Sequence, residues 1–114
     1  MTDLLLCLNN QLLTKNLYGM LRDEGYSVET ADHPSLAVQM VLREDYTAVV
    51  MDAEPFGLSV EAAIKIFKAV LPELLVIFIG YDKLDTDALS IEAPLDLAAF
   101  RQTIHELPRL RHLN

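Results

Sequence analysis

Apolar residues fall along this chain in two alternating patterns, short unbroken runs and stripes at helical spacing. Residues 4–8, Leu-Leu-Leu-Cys-Leu, form a run that stops at Asn9 and Asn10, as in a strand buried on both faces. From there the apolar positions are Leu13, Leu17, Met20 and Leu21, one face of a helix, and Gly25 stands where a terminating glycine is expected. Residues 26–31 alternate weakly as a second strand. The stretch Asp32, His33, Pro34, Ser35 then supplies a cap and a first-turn proline for a helix striped by Ala37, Val38, Val41 and Leu42.

The pattern repeats. Residues 47–52 are an apolar run closed by Asp52; Ala62, Ala63, Ile66, Phe67 and Val70 recur at helical spacing up to Pro72; and residues 74–79 are the most hydrophobic strand candidate. After Gly80 come a polar stretch at 81–87 and a short strand at 88–91. Asp96 then caps a helix carrying Leu97, Phe100, Ile104 and Leu107 on one face. Strands alternating with helices imply a doubly wound α/β fold, a parallel sheet covered on both sides. Only eight residues separate Ile79 from Ala88, fewer than a helical crossover normally takes, so the helix between the fourth and fifth strands is expected to be missing or reduced. Removing it should uncover apolar surface on the fourth strand, a place for self-association as a homodimer or for a partner.

At 114 residues the chain fits one domain. We set it at 1–107, with 108–114 a locally basic tail that is either a frayed end or the start of a linker. The net charge of −8 has the wrong sign for neutralising phosphates, which argues against direct nucleic-acid binding. The single cysteine, Cys7, has no internal disulfide partner, and no Cys/His spacing suits zinc, which points to a reducing, cytoplasmic setting. Cys7 itself lies in an apolar run, where a thiol behaves as a small buried hydrophobe. No apolar run approaches the ~20 residues of a membrane span, and the start Met1, Thr2, Asp3 is acidic where a signal peptide is basic.

In sheets of this kind, ligands bind at the carboxyl ends of the strands. Those ends are Asn9 and Asn10, Asp52, Gly80 and Ala93, and only Asp52 is charged. It reads either as a nucleophile or as a loop-initiating Asp held by backbone amides. His33, His105 and His112 are scattered singly and read as surface residues. The glycines are isolated, so neither a dinucleotide fingerprint nor a phosphate loop is present.

Four segments in this order are specific: Leu-Cys-Leu-Asn-Asn at 6–10, Leu-Arg-Asp-Glu-Gly-Tyr-Ser-Val-Glu-Thr-Ala at 21–31, Tyr-Thr-Ala-Val-Val-Met-Asp at 46–52 and Glu-Ala-Pro-Leu-Asp-Leu at 92–97. With 42 residues from Asn10 to Asp52 and 28 from Asp52 to Gly80, the chain resembles the receiver domains of two-component response regulators over essentially its whole length. The resemblance implies a flavodoxin-like five-stranded sheet of order 2-1-3-4-5 and a cytoplasmic signalling module of a phosphorelay, not an enzyme. The family has an acidic pair after the first strand, a phosphoacceptor Asp after the third, a Thr or Ser after the fourth and a Lys-Pro after the fifth. Asp52 matches the phosphoacceptor. Asn9 and Asn10 replace the acidic pair that helps hold Mg²⁺, Gly80 replaces the hydroxyl, and Ala93 replaces the lysine. Ser90 stands where many receivers have an aromatic switch residue, and Pro55, Phe56 and Gly57 depart from the family's loop.

Two neutral amides in place of carboxylates should leave Mg²⁺ binding weak or absent, and a phosphoryl group on Asp52 would lack its usual cation and hydroxyl. The expectation is therefore a degenerate receiver that acts through protein contacts with a kinase, output domain or regulator, with no cofactor. The alternatives are a receiver still phosphorylated at Asp52 by a dedicated kinase, and a flavodoxin-like cofactor carrier. The loop at 9–14 lacks the hydroxyls and glycines a flavin phosphate would need.

Overall fold

The computed structural model describes residues 2–8, 10–52, 60–80, 89–92 and 96–106; for Pro34, Val60, Glu61 and residues 89–92 it describes the backbone alone. In chain order the elements are β1 (Thr2–Cys7), α1 (Gln11–Asp23), β2 (Val28–Ala31), α2 (Pro34–Arg43), β3 (Tyr46–Asp52), α3 (Val60–Val70), β4 (Leu75–Gly80), β5 (Leu89–Glu92) and α4 (Leu97–His105). The strands make one sheet in the order β2-β1-β3-β4-β5, with every pair parallel. The expected α/β architecture and strand order are present. The stretch expected to lack a helix, 81–87, lies outside the described residues, as do Pro55, Phe56, Gly57 and the tail.

Both faces of the sheet are packed, which explains why its strands read as unbroken apolar runs. On one face Leu4, Leu6, Val50, Ile77 and Ile79 meet Leu17 and Leu21 of α1 and Phe100 and Ile104 of α4. On the other, Leu5, Cys7, Val49, Met51 and Val76 meet Ala37 and Val41 of α2 and Ala63, Ile64 and Phe67 of α3. The end of α1 follows from one glycine. Gly25 sits at φ +94°, and with it Gly25 N–H donates to Arg22 O and Tyr26 N–H to Leu21 O, both at 3.0 Å. This pair of bonds is the Schellman arrangement, which needs the left-handed backbone that glycine adopts most readily.

Several sequence expectations are corrected. β1 begins at Thr2, because Thr2 pairs with Tyr46 at the start of β3. β2 begins at Val28 and not at Tyr26, whose N–H is committed to the α1 terminus. Leu42, Ile66 and Leu97, expected in helical core stripes, are 63%, 37% and 42% exposed. Each helix meets the sheet along a narrower strip than its apolar residues occupy, and in α3 it is Ile64, not Ile66, that reaches the core. Nor does β4 present apolar surface: Val76, Ile77, Phe78 and Ile79 are at most 4% exposed.

A different polar cluster lies at the N-terminal ends of the strands. The Tyr46 hydroxyl donates to Glu29 Oε2 at 2.6 Å, and the Thr2 hydroxyl lies against Glu29 Oε1 at 3.1 Å and against the Glu44 carboxylate. The Tyr46 hydroxyl, followed by Thr2 and Glu44, holds the Glu29 carboxyl below its ordinary range, against burial, which pushes it up. Burial first, and then Glu29, raises the Tyr46 phenol.

Candidate functional site

The carboxyl end of the sheet is built from three strand ends and one helix cap. β3 ends at Asp52, which is 9% exposed. Its register partner on β4 is Ile79, so Gly80, also buried, lies one position beyond it on the adjacent strand. Gly80 in turn is opposite Glu92 at the end of β5. On the other side, Asn10 precedes α1 and its backbone N–H donates to Asp52 Oδ2 at 3.4 Å. Of the residues expected to form the site, Asp52, Asn10 and Gly80 are thus gathered at one end of the sheet. Asn9 and Ala93 lie outside the described residues.

Asn10 has a role beyond its position. It is the N-cap of α1: its backbone is extended, and its side-chain oxygen accepts from Leu13 N–H at 3.0 Å. An Asn directly before a helical stripe is a capping signal, and this was the feature of the sequence that could have revealed the role. Capping turns the Asn10 carboxamide oxygen onto its own helix, while only its backbone N–H reaches Asp52.

Cys7 reports the electrostatics of this end. It is 1% exposed, and its thiol is pushed up to about 12, first by burial and then by the negative charges of Asp52 and Asp32. Burial and these charges disfavour the thiolate, as expected of a thiol in an apolar run. The described histidines serve the fold. His33 caps α2, its Nδ1 accepting from Ser35 N–H at 3.0 Å. His105 on α4 pairs with Glu24 at 3.1 Å, beside an Arg101–Glu24 pair at 3.0 Å.

The family that the sequence resembles has an acidic pair at this end of the sheet that helps hold Mg²⁺, so the donor set bears on whether the ion fits here. Mg²⁺ prefers carboxylate, phosphate and water oxygens in near-octahedral order. Among the described residues Asp52 closes β3, Asp32 follows β2 and Glu92 ends β5, while Asn10 contributes a neutral oxygen engaged by Leu13 and Gly80 has no side chain. No group of three or more His, Cys, Asp or Glu among the described residues could hold a metal ion. Among the described residues the donor set fits Mg²⁺ poorly. No described helix is long and apolar enough to cross a membrane.

No protein-family model matches the chain, and no curated protein matches it in sequence. Solved structures do match its fold. A response regulator receiver domain protein from Clostridium thermocellum superposes with a TM-score of 0.85 at 18% identity, covering 99% of this chain and 98% of that one. The beryllofluoride-activated NtrC4 receiver domain dimer gives a TM-score of 0.87 at 22% identity, covering 97% and 99%. The response regulator TrrA from Thermotoga maritima, in complex with Mg²⁺ and BeF, gives 0.82 at 18%, covering 94% and 99%. At these identities the likeness speaks for the fold and not for the chemistry. The fold of this chain is that of the response-regulator receiver domains.

Proposed function

We propose that the protein is a signalling module of the two-component type that works through protein–protein contact and without Mg²⁺-dependent phosphorylation of Asp52. The observation that carries this reading is Asn10. It stands where the family places an acidic residue, and its side-chain oxygen is given to the α1 cap at 3.0 Å from Leu13 N. The substitutions at Asn9, Gly80 and Ala93 act in the same direction, since each removes a carboxylate, a hydroxyl or an ammonium that would steady a phosphoryl group. The module has no catalytic residue and no cofactor of its own, and its partner is a kinase, an output domain or a regulator. A Mg²⁺ titration followed by backbone amide shifts tests this. The expected result is no saturable change at Asn10 or Asp52 up to about 10 mM, the weak-binding regime; a site that saturates well below that overturns the reading.

A second reading rests on Asp52 itself. A carboxylate only 9% exposed at the end of a strand is costly to bury, which favours its retention for use by a dedicated kinase that supplies its own electrostatic help. Incubation with candidate kinases followed by intact-mass measurement separates the two. Modification that disappears in Asp52→Ala supports the second reading.

A further inference from the structure

Away from Asp52, α1 and the end of β2 enclose a groove of about 400 Å³ whose lining includes Leu8, Lys15, Tyr18, Ala31 and Asp32, within the size range of small-molecule sites. We propose that this groove binds a small zwitterion, a free amino acid with an apolar side chain.

The floor is apolar: Leu8 and Ala31 are each 4% exposed. One wall is the ring of Tyr18, held against the Arg22 guanidinium at 5.8 Å from the ring centroid and itself 38% exposed. The polar part of the lining carries one charge of each sign. Lys15 and Asp32 are both exposed, and neither makes an ion pair with the other or with any described residue. Two opposite charges that line one cavity without pairing present complementary sites to a ligand with both an anionic and a cationic group. A simple anion would meet the Asp32 carboxylate and a chain of net charge −8; a simple cation would meet Lys15. A free amino acid satisfies both, with its carboxylate at Lys15, its ammonium at Asp32 and its side chain on the Leu8, Ala31 and Tyr18 surface. The groove is also close to the Asp52 end of the sheet. Thr14, on its rim, donates its hydroxyl to Asn10 O at 3.0 Å, and Asn10 N–H donates to Asp52. The proposal does not depend on whether Asp52 is phosphorylated.

The test is a titration of the isotope-labelled full chain with leucine, methionine and phenylalanine, read by backbone amide shifts. N-acetyl-leucine and leucinamide each remove one of the two ligand charges. The expected result is saturation below about 10 mM by at least one amino acid, with shifts centred on Thr14, Lys15, Tyr18 and Asp32 and at least about tenfold weaker binding of both derivatives. Lys15→Met and Asp32→Asn, both at exposed positions, should each weaken binding at least about tenfold, with spectra otherwise like wild type. Failure of all three amino acids to saturate overturns the proposal, as do shifts centred elsewhere or equal binding by the derivatives or the variants.

Discussion

At the N-terminal ends of β1, β2 and β3, partly buried polar groups hold one another: Tyr46 donates to Glu29 at 2.6 Å, and Thr2 lies between Glu29 and Glu44. At the C-terminal ends, Asp52 is about as buried as Thr2, 9% against 7% exposed. There the bond from Asn10 N–H is 3.4 Å, beyond the ~2.7–2.9 Å of a strong charge-assisted bond. The first end ties three strands and the α2 terminus together with short side-chain bonds. The second holds a carboxylate where this class of sheet places its ligands. The contrast separates polar groups tied across the starts of three strands from a carboxylate set at the end of the sheet where ligands bind, although burial alone does not distinguish them.

Substitutions at the two ends should therefore differ in what they change. The largest effect is expected from Tyr46→Ala, which removes a ring only 2% exposed and should cost about 3–5 kcal/mol in urea denaturation. Tyr46→Phe keeps the ring but removes a bond to a carboxylate, and should cost about 1.5–3 kcal/mol. A loss below a few tenths of a kcal/mol would show that the Tyr46–Glu29 bond does not secure the fold.

Acid should expose the same end. The Glu29 carboxyl is held below its ordinary range chiefly by Tyr46. Its contribution is therefore present above the unfolded carboxyl value and lost as pH falls through the lower, folded one. Denaturation midpoints measured down the acid range should fall, and Tyr46→Phe should flatten part of that fall. An unchanged slope in the variant would mean that other carboxylates set the acid response.

The cap of α1 allows a finer comparison. Asn10→Ala should cost about 0.5–2 kcal/mol, whereas Asn10→Asp keeps a capping oxygen and should be close to neutral in stability. Asn10→Asp also places a second carboxylate beside Asp52, so Mg²⁺ affinity should rise, most clearly combined with Asn9→Asp, as read by calorimetric titration. A small effect is also expected from Asp52→Asn, which keeps an acceptor for Asn10 N–H and removes a buried charge. It should change stability by about 1 kcal/mol or less, while a much larger loss would move Asp52 into the structural class.

Much of the sheet is legible in the sequence, because a parallel strand covered on both faces must be apolar throughout and must stop where it emerges. The runs ending at Asn9 and Asp52 show this, and Gly25 marks the α1 terminus through a backbone angle few other residues adopt. The helical stripes overreach at Leu42, Ile66 and Leu97, since periodicity gives the apolar face but not how much of it a neighbour covers. The Thr2, Glu29, Glu44 and Tyr46 cluster has no local signature. Its bonded pairs are 17 to 42 residues apart and meet only after the parallel strands have paired. The Lys15–Asp32 groove is hidden for the same reason. At the site, the positions of Asp52, Asn10 and Gly80 follow from the strand ends, whereas the capping bond of Asn10 is a matter of side-chain direction.

The central claim is that this end of the sheet keeps the carboxylate of Asp52 without the surroundings that make it a Mg²⁺-dependent phosphoacceptor. Wild type and Asp52→Ala should be incubated side by side with Mg²⁺ and a small-molecule acyl phosphate, and their intact masses measured. The account predicts that both remain unmodified; stoichiometric phosphorylation of the wild type, absent from Asp52→Ala, would contradict it.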